Sequence, residues 1–283
     1  MTMKKSQLTK SYILKKVSEA LKEDFGLRGD ITSKALIPHD HKSTGTIISN
    51  DSSVLCGIEF AKLTFKKLDK NIKFLSSRKD GSKISKGSQI LKVYGNTRAL
   101  LAGERTALNF LGFMSGISTK TNHFVGIAKP FNSKIYSTRK TIAGLRMIEK
   151  YAVTIGGGHI NRATLDSFYF VKDNHLKIQK NISETIKRIK RKKIKKKITF
   201  EVDNISQLKS VLNEDIDIVL LDNMKPQQIL RCLKLIDGKF QSEVSGGINL
   251  SNIKSYAKTK VDRISIGELT HSIKNSDFSM DLK

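Results

Sequence analysis

Only two cysteines, Cys56 and Cys232, occur in this chain of 283 residues. They form neither a metal-ligand spacing nor a disulfide framework, which excludes a disulfide-stapled secreted scaffold and fits a reducing compartment. Long apolar runs are missing as well. No stretch approaches the roughly 20 apolar residues that cross a bilayer. The opening MTMKKSQLTKSYILKK carries lysines but no apolar segment of a secretion signal. The expectation is a cytoplasmic, soluble protein that does not enter the membrane. Negative charge is the third scarcity: 26 acidic residues face 52 lysines and arginines, a formal charge of +26. That imbalance points to nucleic acid, an acidic surface or a polyanionic small substrate.

The distribution of the charge separates these options. Lys62, Lys66, Lys67, Lys70 and Lys73 are scattered and read as solvated faces. The dense cluster runs from Lys187 to Lys197. There Ile182, Ile186 and Ile189 keep helical spacing, so an amphipathic helix with a basic outer face is the plain reading. The alternative is a nucleic-acid-binding protein. The run lacks interleaved aromatics and any recognised nucleic-acid motif, so a nucleic-acid partner is not expected.

The chain opens on a helical pattern, Leu14, Val17, Leu21 and Phe25, stopped by Gly26. Asp30 and Thr32 are read as local caps of a turn before a sheet. From Thr44 to Gly95 short β-like runs alternate with turn signals at Asp80-Gly81 and Lys86-Gly87, with a possible helix over Ile58–Leu68. This predicts a small α/β or open-sandwich domain. Leu100 to Thr119 is a strongly apolar helix containing Glu104 and Arg105. Its Gly112 and Gly116 imply either close packing or a break. Arg105 is read either as an ion-pair partner within the helix or as a substrate clamp.

From Ser133 onward the pattern changes to strand, then helix, repeated. KIYS, FYFV, ITFEV, DIVLL, FQSEV and RISI are each followed by a helical run, which implies a parallel sheet long enough to curl into a partial or complete barrel. The residues at the strand ends are Arg139-Lys140, Lys172-Asp173, Glu201, Asp222, Ser245-Gly246-Gly247 and Gly267. In an α/β barrel they share the C-terminal rim, where active sites are built. The glycine turns after the last two strands suit a phosphate. Glu201 and Asp222, on neighbouring strands, are either ion-pair partners of lysines or a hard-cation site of the Mg²⁺ type. Thr138, Arg139, Lys140, Arg162 and Lys172 add cations and a hydroxyl beside them. Such a rim fits a phosphoribosyl donor meeting an anionic acceptor.

The motifs GERTALNFL, STRKTIAGLRMIEKYAV, GGG, FVKDNH, LLDNM, SGGIN and SIGELTHS, spread over almost the whole chain, resemble the quinolinate phosphoribosyltransferases. The resemblance implies an N-terminal α/β open sandwich over residues 1–116 and a partial α/β barrel over 117–283. It implies transfer of phosphoribose from phosphoribosyl pyrophosphate to quinolinate, yielding nicotinate mononucleotide, pyrophosphate and CO₂ with Mg²⁺ as cofactor. On this sequence the family's quinolinate clamps fall on Arg105, Arg139, Lys140, Arg162 and Lys172, with Arg105 entering from the partner subunit of a dimer or larger oligomer. The metal and ribose carboxylates fall on Glu201 and Asp222, and the phosphate turns on Ser245, Gly246, Gly247 and Gly267. Lys140, Lys172, Glu201 and Asp222 are the expected catalytic set. An architecturally related phosphoribosyltransferase-like protein with another acceptor is the alternative within the fold; KDNH and LLDNM favour the quinolinate branch. One departure stands out. Where the family usually has a histidine before the arginine, this chain has Asn161, and a histidine appears two positions earlier at His159.

Overall fold

A computed structural model of the chain describes residues 8–179 and 181–283. Residues 1–7, part of the stretch expected to lack a secretion signal, lie outside the described residues. The chain forms two compact units. One gathers the chain up to Asn122, Met147–Gly157 and Ile273–Lys283; the other comprises His123–Arg146 and Gly158–Ser272. Two later segments, Met147–Gly157 and Ile273–Lys283, therefore pack with the first unit.

In the first unit, the helix Lys10–Phe25 begins where Thr9 Oγ1 accepts the Tyr12 N–H, and it buries Ile13, Val17 and Leu21 on one stripe. A four-stranded antiparallel sheet has the spatial order Phe278–Leu282, Lys42–Ser49, Gln89–Asn96, Lys73–Ser77. Alternate residues of Lys42–Ser49 are buried, the pattern of a sheet with one packed face. The helix Ile58–Leu68 and the sheet close over a core that includes Ile47, Leu55, Phe65, Leu91 and Leu111. This is the expected open sandwich, with one addition. The strand Phe278–Leu282, from the far end of the chain, completes the sheet edge and was not visible as a strand in the sequence. Asp30 is a cap, as expected, but it caps a short helix, Ile31–Leu36, through the Ser33 N–H at 2.9 Å.

The apolar helix is longer than its pattern suggested. It runs unbroken from Thr97 to Ala128. Gly112 and Gly116 do not interrupt it; they let the backbone of the C-terminal segment approach. A Cβ at Gly112 would lie 2.8 Å from the Ser276 carbonyl oxygen, and one at Gly116 would collide with the Lys274 carbonyl.

The second unit is a seven-stranded, wholly parallel sheet. Its spatial order is His159–Ile160, Lys134–Ser137, Arg263–Ile266, Gln241–Ser245, Ile218–Asp222, Ile198–Val202, Tyr169–Val171. The six expected strands are all present, and the short His159–Ile160 is an extra one. Ile198–Val202 is buried at every position, as a strand covered on both faces must be. Helices follow the strands, among them Asp173–Ile178, Ile182–Lys190, Ile205–Val211, Pro226–Ile236 and Ile253–Ala257. The unit is therefore a half-barrel of the expected type. The basic run is only partly helical: the helix stops at Lys190, and residues 191–197 form an exposed turn and loop. Among the described residues, no helix is long and apolar enough to cross a membrane.

Candidate active site

Parallel strands place all their C-terminal ends on one edge, and the register shows which ends are neighbours. Asp222 pairs with Ser245, Ile266 with Ser137, and Ser137 with Ile160. Val171 pairs with Phe200, which puts Lys172 beside Glu201. Glu201 lies within its strand and not past it.

The charges on this edge are coupled. Lys172 Nζ lies 2.7 Å from Glu201 Oε2 and 4.5 Å from the centre of the Phe170 ring. Burial pushes the Glu201 carboxyl above its ordinary range; Lys172 opposes the rise and Asp222 adds to it. Asp222 is pushed up by burial too, against the pull of Lys172 and Lys140 and with the push of Asp203. Lys140, Lys172, Glu201 and Asp222 therefore feel one another. Arg162 donates from Nη2 to the Leu165 carbonyl at 2.7 Å, and its guanidinium carbon lies 5.4 Å and 5.6 Å from the Phe168 and Phe170 ring centres. Burial and then the Arg139 charge lower its proton affinity. An anion placed between Arg139 and Arg162 would relieve that repulsion.

The turns are built for close approach. Gly246 has φ +98° and Gly247 φ +59°, conformations that favour glycine. A Cβ at Gly246 would lie 2.8 Å from the Asn223 backbone nitrogen and would overlap the Asn223 side chain. Asn223 in turn donates its N–H to the Ser245 carbonyl at 2.9 Å and its side-chain amide to Asp222 at 2.7 Å. Opposite, Gly267 makes room for Lys140, whose Cδ would sit 3.0 Å from a Cβ there. Thr270 Oγ1 donates to the Lys140 carbonyl at 2.6 Å, and Thr138 Oγ1 accepts the Lys140 N–H at 3.1 Å. The loop bearing Thr138, Arg139 and Lys140 is thus tied to the last strand turn.

Among the described residues, no group of three or more His, Cys, Asp or Glu side chains is arranged to hold a metal ion. Two coupled carboxylates, Glu201 and Asp222, nevertheless fit Mg²⁺, which commonly takes one or two carboxylates and completes its shell from substrate phosphates and water.

Four residues of this unit, two buried and two half-buried, escaped the sequence reading. Glu243, fully buried in the strand Gln241–Ser245, accepts hydrogen bonds from Asn161 Nδ2 and from Ser265 Oγ (2.5 Å). Its other oxygen lies 3.0 Å from Arg263 Nε, close enough for an ion pair although the N–H is not aimed along that line. The Arg263 guanidinium carbon sits 4.1 Å above the Tyr136 ring. The available signal was an acid and a base, Glu243 and Arg263, in the middle of apolar strands. Phe168 and Phe170 were also missed: alternate residues reaching Lys172 share one face, so the rings and the ammonium line up.

Asn161, not His159, reaches the interior. His159 instead stacks on Tyr136, ring centres 5.1 Å apart. His175 lies in the first turn of the helix Asp173–Ile178 and its Nδ1 accepts the Lys172 N–H at 3.0 Å. His271 ends its four-residue helix, Glu268–His271. Arg105 belongs to the other compact unit, where it is exposed on the helix Thr97–Ala128.

A parallel half-barrel whose rim pairs cations, two carboxylates and glycine turns defines an α/β enzyme acting on anionic, phosphate-bearing substrates. The description "Quinolinate phosphoribosyl transferase, C-terminal domain" matches residues 117–281, and the corresponding N-terminal domain matches 30–115. The chain belongs to the quinolinate phosphoribosyltransferase family. It is 41% identical over 286 aligned residues to the probable nicotinate-nucleotide pyrophosphorylase (carboxylating) of Methanocaldococcus jannaschii, covering 97% of this chain and 99% of the relative. Identity to the Bacillus subtilis protein of the same description is 35%, over 92% of this chain and 90% of that one. The nicotinate-nucleotide pyrophosphorylase structure from Francisella tularensis superposes with a TM-score of 0.95 at 34% identity and full coverage of both chains.

Proposed function

We propose that this chain transfers phosphoribose from phosphoribosyl pyrophosphate to quinolinate and releases pyrophosphate and CO₂, giving nicotinate mononucleotide for NAD biosynthesis. The observation that carries the reading is the rim itself. Arg139 and Arg162 face each other's charge beside Lys172, and Lys172 pairs with Glu201 next to Asp222.

The pyridine nitrogen already carries a lone pair at neutral pH, so no side chain has to create the nucleophile. As the N–C1 bond to ribose forms, the C1–O bond breaks and its electrons leave on pyrophosphate. Lys140 and Lys172 stabilise that departing charge, and fixed cations in a partly buried site do this without reorganising. The backbone of Ser245-Gly246-Gly247 and Gly267 cradles the phosphates. Glu201 and Asp222 would hold Mg²⁺, which when bound would supply further charge neutralisation on the donor. Once the ring nitrogen is positive, the bond to the 2-carboxylate breaks, CO₂ leaves, and the electron pair left on C2 forms a C–H bond with a proton taken from solvent. The second carboxylate remains held by arginine, whose planar fork suits carboxylates.

Arg105 is proposed to serve the site of a second copy, making the working form at least a dimer. Two buried free thiols fit a cytoplasmic location. The test is direct: protein, Mg²⁺, phosphoribosyl pyrophosphate and quinolinate are mixed and nicotinate mononucleotide is measured, with nicotinate as the parallel acceptor. Product from quinolinate alone supports the assignment. Product from nicotinate alone would move the chain to the branch with another acceptor.

A further inference from the structure

The contact between Asn161 and Glu243 joins parts of the sheet that are far apart in order. Asn161 continues the strand His159–Ile160, and Glu243 lies three places along the sheet, in Gln241–Ser245. Strands spaced about 4.8 Å apart would put them roughly 14 Å apart in a flat sheet. Their side chains nevertheless hydrogen-bond, so they meet across the concave interior. Ser265, on a strand between them, bonds to both: it donates to Glu243, and it accepts from Asn161 Nδ2 at 3.0 Å.

We propose that Glu243 is a positioning residue for the acceptor side of the site: through Asn161 it fixes the turn that carries Arg162. The proposal rests on the quinolinate assignment above for the identity of the ligand, a pyridine dicarboxylate. Stability alone does not call for such a network. Replacing a buried ion pair by apolar side chains of similar size is often neutral or stabilising, whereas removing one member leaves a costly unpaired charge. What apolar packing cannot supply is direction. Glu243 fixes the Asn161 amide, and the next residue is Arg162. From there Leu165, Phe168 and Phe170 hold the guanidinium. Glu243 touches no rim residue other than Asn161 in this chain of contacts, so it acts through its neighbours and not on substrate.

The experiment removes both buried charges together. In Glu243→Leu/Arg263→Met no orphan charge is left, and a thermal midpoint near the parent's shows that the interior has repacked. The expected result is a tenfold or greater rise in KM for quinolinate with KM for phosphoribosyl pyrophosphate within threefold of the parent. Asn161→Leu, which keeps the Glu243–Arg263 pair, gives a similar rise, and combining it with the double variant adds little further. Asn161→His, which retains an N–H for Glu243, gives a smaller rise than Asn161→Leu. A second measurement needs no substrate: the rate at which phenylglyoxal labels Arg162, followed by mass spectrometry, changes at least threefold in the double variant and in Asn161→Leu. Lack of turnover by the parent would sink the quinolinate assignment while the labelling still decides the positioning role. Unchanged labelling in both variants overturns the role. So does an equal rise in both KM values accompanied by a lowered thermal midpoint.

Discussion

Lys172, just past the strand Tyr169–Val171, and Glu201, in the adjacent parallel strand, meet at 2.7 Å, an ammonium against a carboxylate that is only 8% exposed. Burial pushes the Glu201 carboxyl above its ordinary range, and the Lys172 ammonium opposes part of that rise. Both members are also in the proposed catalytic set, so their contact stores the site in a charge-balanced form before substrate arrives. Lys172→Ala is expected to lower kcat by about 100-fold or more, in line with the loss of one preorganised charge at a reacting centre. Glu201→Gln is expected to lower kcat comparably and to raise the Mg²⁺ concentration needed for half-maximal rate. Steady-state kinetics with Mg²⁺ titration checks both, and parent-like Mg²⁺ dependence in Glu201→Gln counts against a metal role for that carboxylate.

Arg139 and Arg162 repel each other across the rim in the free protein. A dicarboxylate binding between them turns that repulsion into two attractions. Arg139→Ala or Arg162→Ala is therefore expected to reduce kcat/KM for quinolinate by more than about 100-fold, as loss of a charged contact that anchors and orients the substrate does. If Arg139→Ala turns over quinolinate like the parent, the acceptor site lies elsewhere.

The two glycines of the Ser245 turn are not equivalent. A methyl group at Gly246 meets Asn223, whereas one at Gly247 meets nothing within 4 Å. Both positions carry positive φ, which costs a non-glycine residue about 1–2 kcal/mol. Gly246→Ala is expected to lower the thermal midpoint more than Gly247→Ala. It is also expected to raise KM for phosphoribosyl pyrophosphate about tenfold, because Asn223 must move and Asp222 is its hydrogen-bond partner. Matched midpoints and matched KM values for the two variants would remove the steric argument.

His159 is exposed overall, yet partial desolvation of its ring lowers its pKa, and the charges of Lys134 and Arg263 add to the effect. The unfolded chain, with the ordinary value of 6.5, then takes up a proton before the folded chain does. The stability His159 contributes is present above 6.5 and is lost as pH falls through 6.5 toward the depressed folded value. His159→Gln cannot titrate, so its denaturation midpoint is expected to fall less than the parent's between about pH 7.5 and about pH 5.5. Parallel curves for the two proteins would show that the imidazole is not coupled to folding.

The loop 191–197 is exposed at every residue and carries most of the densest charge in the chain. It lies between the helix Ile182–Lys190 and the strand Ile198–Val202, before that strand's N-terminal end, and the rim is at the other end. Changing Lys192, Lys193 and Lys195 to Gln is expected to leave quinolinate turnover within about twofold, since exposed charges beyond about a Debye length of 8–10 Å are largely screened at physiological salt. Retention of the parent protein on random duplex DNA at that salt would revive the nucleic-acid reading.

The sequence by itself determined the alternation of strand and helix from Ser133 onward, and with it the edge on which Arg139, Lys172, Glu201, Asp222 and Gly246 stand. Period and chain direction are local properties, and parallel strands can only end on one side. It also determined the Gly246-Gly247 turn, because the positive φ at both positions favours glycine. Tertiary structure alone decided three things. The unbroken helix Thr97–Ala128 uses its glycines to admit a segment some 160 residues later, a contact between distant parts of the chain that no local pattern encodes. The last strand, Phe278–Leu282, joins the first unit's sheet for the same reason. The bond between Asn161 and Glu243 exists only because the parallel sheet curls, bringing together side chains that strand order alone would keep well out of reach.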